Sequence, residues 1–259
     1  CGGPPPCRPA RAQRWVAGHS LFMAALIAVV SGDFGMVLVY LGLFVIIAWT
    51  AGVKKRWFLL ALVLGVAAVI IVWPHVPGYI QGRFTVVIDH ITGNPDTYVE
   101  QTQGRGWQQT RSILAIGSGG LFGMGYLKGI QTQSLSESAL PARHTDEIFA
   151  VCGEEFGMVG CILVILLLTA IILRCVWVAR RANSPMAAYV AMGYAAMLLL
   201  QTVINIGMCL YVFPVVGLTL PFFSSGGSSI ITLYACMGIV SGIKMRPAPD
   251  MSAHYIRPS

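Results

Sequence analysis

The sequence predicts an all-α protein, a polytopic bundle of transmembrane helices with one large outer loop. Only 10% of the 259 residues are charged and 56% are hydrophobic, whereas soluble domains carry about 25% charged residues. The charges lie between long uncharged runs, most of which reach the ~20 residues that cross a bilayer, alone or with their flanks. Basic residues cluster at Arg8, Arg11 and Arg14, at Lys54, Lys55 and Arg56, at Arg174, Arg180 and Arg181, and at Lys244 and Arg246. With six spans all four clusters fall on one face, and the positive-inside rule makes that face cytoplasmic.

Residues 1–14 read as a disordered or fragment-edge N-terminus without the shape of a signal peptide. Runs 15–32 and 33–53 form a hairpin with Asp33 near its outer tip, either a functional ionisable group or an interfacial one facing water. Run 57–73 leads into the outer segment, 74–148. There, 74–81 is a Pro/Gly-marked exit, 83–91 a short helix or strand, and 92–106 a loop rich in turn residues. Residues 107–116 fit an amphipathic helix lying on the membrane surface. The glycine-rich stretch 117–125 is either a backbone cradle for phosphate or a flexible turn; it lacks the strand and the Gly-Lys-Ser/Thr ending of a nucleotide loop. Gln131 and Gln133 make a polar patch suited to sugar hydroxyls or to water.

Runs 157–173, 186–213 and 228–243 complete the six spans, with Gly157, Gly160, Gly238 and Gly242 offered for close helix packing. The loop before the last span holds Pro214, Pro221, serines and a Gly pair, a pattern for broken or re-entrant backbone. Such backbone is tolerated only when buried in protein or lining a wet cavity, which places it facing the same cavity as Asp146. The membrane domain covers 15–246, and 247–259 is a cytoplasmic tail.

The formal charge of +7 is juxtamembrane, which argues against nucleic-acid binding. The seven cysteines show neither metal-ligand spacing nor a disulfide framework; five sit in or beside apolar runs, where Cys acts as a small hydrophobe. Eight of the ten Asp and Glu residues lie between Asp89 and Glu155, so carboxylate chemistry belongs there. Helical spacing of Ile148, Phe149, Val151, Phe156 and Val159 starts a helix near Thr145 or Asp146. Two readings stand. Thr145 caps that helix and Asp146 and Glu147 match its dipole, or Asp146 is catalytic. Glu154 and Glu155 lie deeper, where a desolvated acid needs a partner; Arg143, Lys128 and His144 are the local candidates.

Motifs along residues 15–246 resemble the SEDS family (shape, elongation, division and sporulation) of membrane peptidoglycan polymerases. They include Asp33-Phe-Gly35, Gly106-Trp-Gln-Gln-Thr-Arg-Ser112, the glycine-rich stretch, Gly129-Ile-Gln-Thr-Gln133, Leu140-Pro-Ala-Arg-His-Thr-Asp146, Gly153-Glu-Glu-Phe-Gly157, Asn205-Ile-Gly-Met208, Pro214-Val-Val-Gly217 and the serines from Ser224 to Ser229. The resemblance implies about ten transmembrane helices, of which six are present; the first spans, with the partner of the Asp33 carboxylate, fall outside this sequence. Glu147 stands where the family usually has Phe, and Ser225 where it usually has Tyr. A second carboxylate beside Asp146 should raise the pKa of one of the pair.

The implied activity is inverting glycosyl transfer between lipid II molecules outside the bacterial cytoplasmic membrane, which needs one base, assigned to Asp146. Arg143, Lys128, Arg111 and Arg105 are the cations for the pyrophosphate leaving group, and a divalent ion, Mg or Mn, held by Glu154 or Glu155 is a further candidate. Gln131, Gln133, His144, Thr145, Ser224 and Ser228 complete the substrate-binding set; Asp33, Glu147, Glu154 and Glu155 are supporting carboxylates. Implied partners are lipid II, the nascent glycan strand, membrane lipid and a class B penicillin-binding protein. The alternatives are a lipid II flippase, which should show midplane charges and inverted repeats, and a scaffold that activates the transpeptidase.

Overall fold

A computed structural model describes residues 10–31, 34–93, 95–134 and 140–245. Asp33, Cys1, Cys7 and the tail 247–259 lie outside the described residues. Among the described residues all regular elements are helical: α1 (Ala10–Ser31), α2 (Phe34–Thr50), α3 (Lys55–Val72), α4 (Gly78–Thr92), α5 (Tyr98–Thr102), α6 (Trp107–Gly119), α7 (Ile130–Gln133), α8 (Ile148–Arg180), α9 (Pro185–Cys209) and α10 (Gly227–Met245).

The six runs expected as spans are α1, α2, α3, α8, α9 and α10. Among the described residues three helices, α8, α9 and α10, are long and apolar enough to cross a membrane; α1 and α2 hold shorter apolar stretches, Gly18–Ala28 and Gly35–Thr50. α1 begins at Ala10, inside the stretch expected to be a disordered edge. The good helix formers Ala10, Arg11, Ala12 and Gln13 follow Pro9 there and favour the extension.

The packed core lies along α8 and α9. Leu198, Ala191, Cys175 and Val178 are buried, with Leu233 and Val240 of α10 against them. The Tyr194 hydroxyl donates to the Leu233 carbonyl at 2.8 Å, tying α9 to α10. α2 rests on α9 and the last loop through Val39, Ile204 and Leu218. The outward faces stay apolar: Ile162, Leu163, Leu166 and Leu173 on α8 and Ile231 and Ile239 on α10 are exposed, the surface expected of helices solvated by lipid. Cys152, Cys161, Cys175, Cys209 and Cys236 are free thiols, four of them buried, in keeping with the small-hydrophobe reading. Gly238 and Gly242, expected to allow close packing, have open space beside them; α10 uses Leu233 and Val240 instead.

Local signals explain the helix ends. Ser184 caps α9, its hydroxyl accepting from the Ala187 N–H at 3.2 Å, with Pro185 in the first turn. α4 is a helix rather than a strand and ends at left-handed Gly93. The segment expected as loop 92–106 contains a 3-10 turn and the short α5.

α6 departs from the surface-helix expectation. Its buried residues are Gln109, Ser112, Ala115 and Gly119, the small and polar side of the helix, which packs on α8 and α9. The cause is at the end of α9, whose last carbonyls have no intrahelical donor. The Gln109 amide donates to the Phe213 carbonyl at 2.7 Å and the Met208 carbonyl at 3.5 Å, and the Ser112 hydroxyl to the Cys209 carbonyl at 2.9 Å.

Candidate active site

α8 is not one continuous helix. Gly157 breaks it with φ 67° and ψ −164°, a conformation open essentially to glycine alone. The break frees backbone groups on both sides, and the glycine-rich stretch satisfies them. Met124 and Gly125 N–H donate to the Glu154 and Glu155 carbonyls at 2.9 and 3.0 Å; Met158 and Val159 N–H donate to the Gly120 and Leu121 carbonyls at 2.9 and 3.2 Å. The phosphate cradle and the flexible turn are thus both replaced by a backbone splice, and Gly157 serves the break rather than helix packing. Residues 148–156 become a short separate helix leading away from Asp146.

Glu154 and Glu155 are buried on this short helix. Their partners are not the expected cations. Gln131 and Thr132 N–H donate to the two Glu154 oxygens at 2.7 and 2.9 Å. The Thr132 hydroxyl and Gln133 amide donate to Glu155 Oε1 at 3.3 and 3.0 Å. Arg143 instead donates to the Thr132 and Ser134 carbonyls. Acids and Arg143 together clamp α7 against the turn that carries Asp146. Among the described residues no three His, Cys, Asp or Glu side chains come together as a metal site.

Helix α8 starts at Ile148, later than expected, because 141–147 form consecutive turns. Thr145 caps nothing; its hydroxyl donates to the Ala142 carbonyl at 3.3 Å. Asp146 is half-buried, and its backbone is gripped from α9: Asn205 Nδ2 donates to the Asp146 carbonyl at 2.8 Å and to the Leu218 carbonyl at 2.7 Å. The last loop closes the other side. Ser225 donates to the His144 carbonyl through its N–H at 2.8 Å and its hydroxyl at 2.7 Å, and the Ser224 hydroxyl donates to the Thr145 carbonyl at 2.5 Å. A side chain at Gly217 would come within 3.9 Å of Asp146 Oδ2. The last loop thus packs directly against the turn that carries Asp146.

Glu147 points the opposite way and is fully buried. Gln108 Nε2 donates to its Oε1 at 3.1 Å, and Oε2 has no hydrogen-bond partner. Burial pushes the Glu147 carboxyl above the usual carboxylate range; the Asp146 charge adds to this, and the polar side chains of Cys209, Ser112 and Gln108 offset it only in part. A carboxyl kept neutral in the fold stabilises fully at low pH, and that contribution is lost as pH rises through its raised pKa. Glu147→Gln should therefore gain in melting temperature over the native protein progressively as pH climbs above the ordinary Glu pKa of about 4.3. A pH-independent difference would mean that Glu147 ionises normally. Asn205→Ala would strand the Asp146 and Leu218 carbonyls in a buried site at about 1–3 kcal/mol each; thermal unfolding checks the loss.

The remaining predicted residues separate into two groups. Lys128, His144 and Ser228 are exposed and Gln131 is half-buried, while the Gln133 amide is used by Glu155. Ser224 is buried and its oxygen also accepts from Leu220 N–H at 2.7 Å, so it braces the loop and has no face left for substrate. Arg105 is exposed and paired with Glu100 at 3.4 Å; Arg111 lies 6.0 Å from the Trp107 ring. Sequence reasoning gave no role to Asn205, Gln108 or Arg83, whose guanidinium donates to the Val215 carbonyl at 2.9 Å. An Asn within an apolar span was the one available signal.

Comparison with known proteins fits this arrangement. The chain is 37% identical over 240 residues to peptidoglycan glycosyltransferase MrdB of Escherichia coli K12, covering 92% of this chain and 61% of MrdB. Its fold is similar to a chain in a structure of a peptidoglycan synthase complex that coordinates polymerization and crosslinking (TM-score 0.66, 30% identity, 86% of this chain and 59% of that one). It is also similar to a mutant of the rod shape determining protein RodA of Thermus thermophilus (TM-score 0.59, 25% identity, 93% and 60%). The chain thus spans about three fifths of the length of these relatives. Residues 4–248 match the cell cycle protein family of FtsW, RodA and SpoVE, and the chain, a helical membrane protein, belongs to that family.

Proposed function

We propose that the complete protein is a peptidoglycan glycosyltransferase that polymerises lipid II into β-1,4 glycan strands at the outer face of the bacterial cytoplasmic membrane. The observation that carries this reading is the half-buried Asp146 carboxylate, held where the 141–147 turns, α9 and the 214–226 loop converge beside apolar helices. The basic ends of α8 and α10, at Arg180 and Lys244, lie away from Asp146 along the chain and support an outward-facing site.

In the proposed step the acceptor GlcNAc 4-hydroxyl attacks C1 of the donor MurNAc. The C1–O bond to undecaprenyl pyrophosphate breaks, and the hydroxyl proton passes to Asp146. One base within hydrogen-bond reach suffices, because the reaction inverts. The pyrophosphate leaves as an anion and needs cations, for which exposed Lys128 and the half-buried Arg143 and Arg111 are suited. Burial of Glu147, which raises its pKa, disfavours a second negative charge beside the base. A class B transpeptidase partner accords with the kinship to a synthase complex.

The test is reconstitution of the complete protein in liposomes with labelled lipid II and the transpeptidase. Glycan strands support the reading. Transfer of lipid II across the bilayer without strands would replace it with a flippase.

A further inference from the structure

At the far end of α8 from Asp146, three cations gather on one aromatic ring. The Arg174 guanidinium lies 4.3 Å from the Trp177 ring centre, that of Arg181 4.4 Å, and Lys244 Nζ of α10 4.9 Å. Arg174 and Arg181 stand three residues before and four after Trp177, so one helix face presents all three. All three cations are exposed. The sequence contains no Asp or Glu between Glu155 and Asp250, so no carboxylate of α8, α9 or α10 beyond the Gly157 break can neutralise them. The π face of one Trp attracts each cation but cannot cancel the repulsion among three.

We propose that this cluster is a binding site for the phosphate headgroup of an anionic phospholipid, bridging α8 and α10. The site lies in the last turns of two apolar helices, the depth at which headgroup phosphates sit and Trp is enriched. Two guanidinium forks suit bidentate contact with a phosphate, and a lysine from the second helix closes the third side. The depth favours a lipid phosphodiester over a phosphate free in solution.

The test uses the full-length protein purified in mild detergent after growth in bilayers of phosphatidylcholine doped with phosphatidylglycerol, with retained lipid read by native mass spectrometry. Native protein should retain phosphatidylglycerol in preference to phosphatidylcholine. The double variant R174Q/K244Q should weaken retention roughly twenty-five-fold, about fivefold for each juxtamembrane cation. K54Q/K55Q, which removes the same charge from another basic cluster, should retain it. K244Q alone, at an exposed position, should show the intermediate loss with an unchanged melting temperature, so that misfolding is separated from lost binding. Equal loss in K54Q/K55Q, no preference in the native protein, or displacement by millimolar inorganic phosphate would each overturn the proposal.

Discussion

Asp146→Asn in the complete protein is expected to lower lipid II polymerisation by about 10²–10⁴-fold, the usual contribution of a positioned general base. Asn preserves the size of the side chain, and the Asp146 backbone carbonyl, which accepts from Asn205 at 2.8 Å and the Cys209 thiol at 3.8 Å, is untouched by the change. The fold should therefore survive, and an unchanged melting temperature would separate a chemical from a structural loss. Glu147 cannot substitute as base, since it is fully buried and faces Gln108. Normal strand formation by the Asn variant would remove Asp146 from the chemistry and leave the scaffold reading.

Gly157→Ala is expected to be strongly destabilising. Its backbone holds φ 67° and ψ −164°, where a residue with a Cβ pays about 1–3 kcal/mol in strain. The added carbon would also sit 2.4 Å from Gly123 N and 2.6 Å from the Leu121 carbonyl oxygen, and both are backbone atoms that cannot swing away. Overpacking adds about 1–3 kcal/mol, so together the loss is a large share of a typical 5–15 kcal/mol stability. The splice between the glycine-rich stretch and α8 should open, releasing α7 and the Asp146 turn. Thermal unfolding and polymerisation should fall together. Gly238→Ala, with nothing within 4 Å of its new carbon, should change neither.

The sequence by itself determined the class and the ground plan. Uncharged runs and charge clusters report directly on hydration cost, so the helices α1, α2, α3, α8, α9 and α10 were legible, as was the carboxylate-bearing segment before α8. Ordered motifs were enough to indicate the family. Only the tertiary structure decided which polar groups stay open to solvent and which bond to each other. Asp146 and Glu147 are adjacent and chemically alike in the sequence, yet the turn at 141–147 leaves one half-exposed and buries the other. Ser224 and Ser228 look equivalent, but one hydroxyl closes a loop. Glycines at 119–125 and 157 gave no hint that they meet, because the partners of a broken helix are chosen across the fold. Local pattern records the cost of leaving water; the hydrogen-bond partner that repays it in a buried site depends on which distant backbone group arrives there.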